Sequence, residues 1–196
     1  LTFQTSILCK RIGIAKDGFY SSMTHRHKYQ ASNFDYLDSL EYKFDKLKEP
    51  TCLADSDVDP SMPICIAFDF NRNINWLVAG QPQGSKLRVL KSFFVKYERK
   101  LPELVADFVK YYRHHKTKKV VFYFDSTALG SNYAVNDQDF KWVIEHEFIK
   151  HGWQVDAVYL GNPMGHSEKH LLINRMFSGQ ANLMPMFNVE NNDDLL

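Results

Sequence analysis

Asp69 closes the run PICIAFDFNRN (63–73), and Asp125 closes the run KKVVFYFDST (118–127). Each acid follows apolar, β-prone residues and reads as a carboxylate at the end of an otherwise buried strand. Side chains alternate along a strand, so Cys65, Ala67 and Asp69 share one face and Ile64, Ile66, Phe68 and Phe70 the other. In the later run Val121, Tyr123 and Asp125 align, opposite Val120, Phe122 and Phe124. If the two strands are parallel neighbours, they lie about 5 Å apart with both acids at their carboxyl ends. Ligands favour that edge of a sheet. Two carboxylates so close repel each other unless a cation lies between them. Hard oxygen donors suit Mg²⁺ or Mn²⁺. Two such ions about 4 Å apart serve in-line attack of water on a phosphodiester. Either aspartate alone reads equally well as the cap of a turn or helix; it is their matched placement that favours a metal site.

Other clusters have plainer readings. His166 and His170, in GHSEKH, are spaced for one helix face, but no further zinc ligands accompany them, and Ser167 reads as a helix cap. The basic stretch YYRHHKTKK (111–119) suits the C-terminal turn of a helix, where cations complement the dipole, and could alternatively touch phosphates. THRHKY (24–29) mixes bases and aromatics as single-strand binders do, although packing of an arm through Phe19 and Tyr29 explains it more simply. The sequence has no nucleophile elbow of a serine hydrolase, no glycine fingerprint of a dinucleotide fold after the first strand, and no P-loop.

The elements that must position the two acids follow from periodicity and breakers. Strands are expected over Ile64–Phe70, Asn75–Gln81, Lys86–Val95, Val120–Phe124, Gln154–Gly161 and Leu183–Glu190, with a hairpin turn at Pro82–Ser85. Helices are expected over Leu101–His115, Gln138–His151 and Ser167–Phe177, the last ended by Gly179. Asn33–Leu47 is a weaker helix candidate, DSDVDPSMP (55–63) a loop, and NNDDLL a possible helix start. A three-strand meander followed by alternating helices and strands gives a mixed sheet with helices packed on it. Residues 1–60 read as an arm or linker, and 61–196 as the domain.

The 196 residues suffice for one domain with a proper core. A formal net charge of +1 means that any basic surface must be local. Three cysteines, Cys9, Cys52 and Cys65, without CxxC spacing suggest a reducing compartment, with Cys65 in the core. No run of 18 apolar residues supports a membrane role. The opening on Leu1 and the close on NNDDLL read as the ends of a piece of something longer.

The order of elements resembles the RNase H-like fold, in which the first and fourth strands are adjacent and each carries a metal-binding acid. More narrowly, the chain resembles the nuclease domain of the large terminase subunit of tailed bacteriophages. The matching pieces are GFYSSMTHRHKY ahead of the domain, DSDVDPSMPICIAFDFN into the first acid, VVFYFDSTA at the second, and YLGNPMGHSEKHLLINRMF late in the chain. The resemblance implies a mixed five-stranded sheet with helices on both faces, and a two-metal Mg²⁺ or Mn²⁺ site that includes Asp69 and Asp125. It implies an endonuclease acting on double-stranded DNA in the cytoplasm of the bacterial host. Its partners would be the terminase ATPase domain, the small terminase subunit and the portal. The family's third acid lies at the start of a late helix. Here Asp194, beside Asp193, is one candidate, and a position beyond Leu196 is the other. Asp193 and Asp194 also read simply as charges complementing a helix N-terminus. Arg72, His166 and Lys169 are the candidate DNA contacts. The alternatives are another RNase H-like nuclease, of resolvase or transposase type, and a non-catalytic DNA-binding or motor-docking module.

Overall fold

The computed structural model of the chain describes residues 20–41, 49–130 and 138–196. Strands β2 (Ile64–Phe70), β3 (Ile74–Gln83) and β4 (Lys86–Lys96) form the expected meander. The β3–β4 turn is tight because Gly84 takes a φ of 61°, a conformation that side chains resist. β5 (Lys119–Phe124) and β6 (Gln154–Tyr159) follow, and β7 (Met184–Asn188) comes last. A short β1 (Lys28–Tyr29) comes from the arm.

Among the described residues these make one seven-stranded mixed sheet in the order β1-β7-β4-β3-β2-β5-β6. Five adjacent strands, β4-β3-β2-β5-β6, match the expected RNase H-like set; β7 pairs parallel with β4, and β1 parallel with β7. The five-stranded sheet that the resemblance implied is therefore extended by two: β7, which falls within the strand expected over Leu183–Glu190, and β1, which was read as part of the arm. The edge of β4 would otherwise offer unpaired N–H and C=O groups, and β7 covers it.

Helices α2 (Leu101–Tyr111) and α3 (Phe140–Lys150) cover one face of the sheet. Helix α2 begins where Pro102 fits the first turn and the Glu103 carboxylate accepts from the Lys100 N–H at 2.9 Å. It ends at Tyr112, where the Lys118 ammonium donates to the carbonyls of Tyr112 (3.0 Å) and Arg113 (2.7 Å). That contact gives part of the basic stretch the structural role expected of it. His115 from the same stretch is buried, bonded through Nε2 to the Met62 carbonyl at 2.9 Å and stacked on Trp153. Helix α3 is capped by Asp139, which accepts from the Trp142 N–H at 2.7 Å. The core lies between this helical layer and the sheet. Phe108 is fully buried there, against the rings of Phe93, Tyr112, Phe148 and Trp153.

Helix α4 (His166–Phe177) lies towards the other face, with Phe177 packed on Phe187 of β7. It starts one residue earlier than expected, and Gly165, not Ser167, occupies the cap position. The Glu168 carboxylate accepts from the Gly165 N–H at 3.2 Å, which satisfies the backbone donor of the cap residue itself. The arm is pinned to this edge. His27 Nε2 bonds the Phe177 carbonyl at 2.9 Å, and the Ser22 N–H donates to Asn174 at 3.0 Å. A short helix α1 (Phe34–Ser39) realises part of the Asn33–Leu47 expectation. Phe19 and residues 42–48 lie outside the described residues.

Candidate metal centre

Strands β2 and β5 are parallel neighbours. Their register pairs Ile64 with Val120, Cys65 with Val121, Ile66 with Phe122 and Ala67 with Tyr123. Two residues beyond the last pair, each strand reaches its aspartate: Asp69 within β2 and Asp125 just after β5. Both acids therefore belong to the carboxyl edge of the sheet, on the face that carries Ala67 and Tyr123. In the antiparallel ladder Asp69 pairs with Trp76, which pairs with Phe94, so the same face carries a Trp76–Phe94 ring contact at 4.7 Å.

Each carboxylate is held by one oxygen. The Asn71 amide donates to Asp69 Oδ2 at 3.0 Å. The Thr127 N–H donates to Asp125 Oδ1 at 2.9 Å, and the Thr127 hydroxyl donates to the same atom. Asp125 thereby caps the 3-10 turn Ser126–Leu129. The cap and the ligand readings are thus compatible, because capping occupies one oxygen and leaves the other available. Among the described residues no protein donor meets Asp69 Oδ1 or Asp125 Oδ2.

The environment differs from the one expected. Asp69 is exposed and Asp125 half-buried, so neither is the buried acid that the apolar runs suggested. The reason is that helices α2 and α3 cover the opposite face, the one carrying Ile64, Ile66 and Phe68. Cys65, expected in the core, is half-buried on the same open face as Asp69. Burial raises its thiol pKa, while a hydrogen bond with the Tyr123 side chain acts in the other direction. The alternation of Cys, Ala and Asp against Ile and Phe in β2 was the signal for one open and one covered face. Asn71 and Thr127 were missed; Asp-x-Thr and Asp-x-Asn are patterns in which a side chain bonds two residues on.

The other candidates come from separate elements. Arg72 is exposed in the β2–β3 turn, three residues past Asp69. His166 and Lys169 are exposed in the first turn of α4. The loop leading to them leaves β6 beside Asp125, since the Ser126 N–H donates to the Gly161 carbonyl at 2.9 Å. Asp194 is exposed in a 3-10 turn (Asp193–Leu195) and acts electrostatically on Lys91. The Lys91 ammonium sits over Tyr111 of α2 at 4.7 Å, so it belongs to the helix-covered face of the sheet, opposite that of Asp69. The structure thus brings Asp69 and Asp125 to one edge and sets Asp194 beside Lys91 instead. Among the described residues no group of three His, Cys, Asp or Glu able to hold a metal is present, which includes the pair His166 and His170.

A second acidic pair comes from the loop read as DSDVDPSMP. Asp57 is buried and accepts from the Tyr29 hydroxyl at 2.6 Å and from Asn188 at 3.3 Å. Asp55 accepts from the Tyr111 hydroxyl at 2.5 Å and from Asn191 at 2.8 Å. Burial pushes the Asp55 carboxyl up to about 6, against the pull of those two donors. Asp57 is raised for the same reason, and Lys91 is lowered by burial. These contacts tie the arm, the loop before β2 and the segment after β7 together, which is a structural task. Sequence reading missed them because a polar loop carries no local sign that it will be buried.

No family model and no curated protein matches the sequence. Among solved structures, the chain is similar to the large terminase of a thermophilic bacteriophage in complex with ATP-gamma-S. The TM-score is 0.51 and the identity 10%, over 90% of this chain and 35% of that one. A structure of the same terminase not described as a complex gives a TM-score of 0.49 at the same identity and coverage. The chain thus spans about a third of that protein's length, and the likeness is one of fold.

Proposed function

We propose that this chain is the metal-dependent nuclease part of a phage terminase large subunit, hydrolysing double-stranded DNA during genome packaging in the bacterial host's cytoplasm. The observation that carries this reading is the parallel pairing of β2 with β5, with Asp69 and Asp125 two residues past its last rung. The fold likeness to a phage large terminase supports the packaging context, in which the ATPase domain, small subunit and portal are the partners.

The donor set fits a hard divalent cation: two carboxylates at one open strand edge, each with one oxygen free of protein donors. Asp69 Oδ1 and Asp125 Oδ2 would hold Mg²⁺ or Mn²⁺. When bound, such an ion supplies Lewis-acid polarisation of a phosphate oxygen and a more acidic water. Asn71 and Thr127 keep the two carboxylates from turning away. Helix α4 packs on this face at β7 and Asp69 itself is exposed, which would let a duplex approach Asp69 without displacing a helix. Arg72 in the turn, and His166 and Lys169 on α4, are exposed and would neutralise backbone phosphates flanking the edge. Two protein carboxylates suffice to anchor one cation that keeps several waters; a second cation needs a further ligand.

Plasmid nicking in Mn²⁺ tests the reading. Asp69→Asn and Asp125→Asn are each expected to abolish cleavage while DNA binding persists. Undiminished cleavage in either variant removes that residue from the mechanism. Cleavage confined to branched substrates would point to a resolvase-type enzyme. Metal-independent DNA binding without any cleavage would point to a docking module.

A further inference from the structure

On the far side of the β2–β3 hairpin from Asp69 lies a cavity of about 490 Å³. Its size falls in the roughly 300–1,000 Å³ range of small-ligand sites. Flat rings contribute to its walls. Phe70 and Phe140 stack at 4.7 Å and 17°, and Trp142 and His146 stack at 4.7 Å and 7°. Tyr97 stands at the rim, 78% exposed, and Trp142 is 44% exposed. Arg72 lines the opening and has no ion pair among the described residues, whereas Arg99 nearby is engaged by Asp107 at 2.7 Å. The wall carboxylate of Glu147 is already met by Lys150 at 3.0 Å and by His151 at 3.1 Å. Glu98, next to Tyr97, holds a φ of 82°, an uncommon conformation for a residue with a side chain.

We infer that this cavity is a nucleotide-binding site, in which a base lies against the Trp142 and Tyr97 rings and its phosphate meets Arg72. Stacking needs exposed planar faces, and the rim supplies two. An isolated guanidinium at the opening is a phosphate donor with five N–H groups and no competing acid bonded to it. A purely apolar occupant would leave Arg72 unused, and a polyanion without bases would leave the rings unused. The nucleotide could be free or part of a single strand; both present the same base and phosphate. Phe70 lines this cavity while Asp69, its neighbour in β2, faces the other way; the two sites flank one hairpin, and Asn71 and Arg72 in its turn border both.

The probes are dAMP, adenosine and a hexathymidylate, each measured by equilibrium dialysis against the whole chain in EDTA. Saturable binding of dAMP, with quenching of tryptophan emission, is the expected result. Trp142→Ala should weaken it about ten-fold or more, in line with base–aromatic stacking. Arg72→Ala should weaken dAMP but leave adenosine unchanged, because the nucleoside lacks the phosphate. Binding of the hexathymidylate alone, also lost in Trp142→Ala, would assign the site to a strand and still supports a nucleotide pocket. No binding of any probe, or binding unchanged in Trp142→Ala with an unchanged Tm, overturns it. Asp69→Asn is expected to bind dAMP as the parent chain does, so this outcome is independent of the nuclease reading.

Discussion

Ala67 and Tyr123 form the last rung of the β2–β5 ladder, and Asp69 and Asp125 each stand two residues beyond it. This relationship turns two acids 56 positions apart in the chain into neighbours of one strand edge. The side chains that hold them are local: Asn71 for Asp69 and Thr127 for Asp125. Each lies two residues after its acid, so folding of the strand end also orients the carboxylate.

Thr127→Val should keep the fold and loosen the site. The hydroxyl donor to Asp125 Oδ1 is lost, while the Thr127 N–H still caps the turn. Outer partners of metal ligands typically contribute about 10–100-fold in metal affinity. Mn²⁺ binding, followed by electron paramagnetic resonance, should weaken by roughly the lower end of that range. Thr127→Ser, which restores the hydroxyl, should recover it. Equal Mn²⁺ affinity in all three proteins would show that the hydroxyl does not position Asp125.

Asp55 should make the fold more stable in mild acid. Its carboxyl is raised to about 6 in the folded state, against about 3.9 for an unperturbed aspartate. The protonated form is therefore favoured by folding. The stabilisation is fully present below about pH 4 and is lost as pH rises through about 6, an effect on the order of 2–3 kcal/mol. Buried His115 acts in the opposite sense, since its pKa is lowered and folding disfavours its charged form. The clean measurement is thus a difference: denaturant unfolding of the parent chain and of Asp55→Asn from pH 4 to 7.5. The parent should lose stability relative to the variant as pH rises; parallel curves would show that Asp55 titrates normally.

Gly80→Ala should destabilise for a reason unrelated to φ. A Cβ at Gly80 would lie 2.8 Å from the Arg88 carbonyl oxygen, across the β3–β4 irregularity. Backbone on both sides cannot yield as a flexible side chain would, and overpacking of this kind costs about 1–3 kcal/mol. Gly84→Ala meets no atom within 4 Å but must hold a φ of 61°, a strain of about 1–2 kcal/mol. Urea unfolding separates them from the parent, and an unchanged midpoint for Gly80→Ala would mean that the ladder shifts freely at the bulge.

The order and type of the main elements were legible in the sequence, because they depend on local properties. Ile64–Phe70 alternates with period two, Leu101 onward repeats with helical spacing, and Gly84 and Gly152 interrupt. The face shared by Cys65, Ala67 and Asp69 also follows from alternation alone. The alternation marked the Ile and Phe side of β2 as the one to be covered, but not which helices would cover it or how exposed the other side would be. That was decided by the packing of Phe108, Ile144 and Phe148 onto the Ile64 side, which leaves Asp69 in solvent. Tertiary structure alone buried Asp57 beneath Tyr29, paired the expected last strand β7 with β4, added β1, and brought Asp194 to act on Lys91. Each of these pairs residues far apart in the chain, and burial of a polar side chain depends on the partners that meet it, not on its neighbours in sequence.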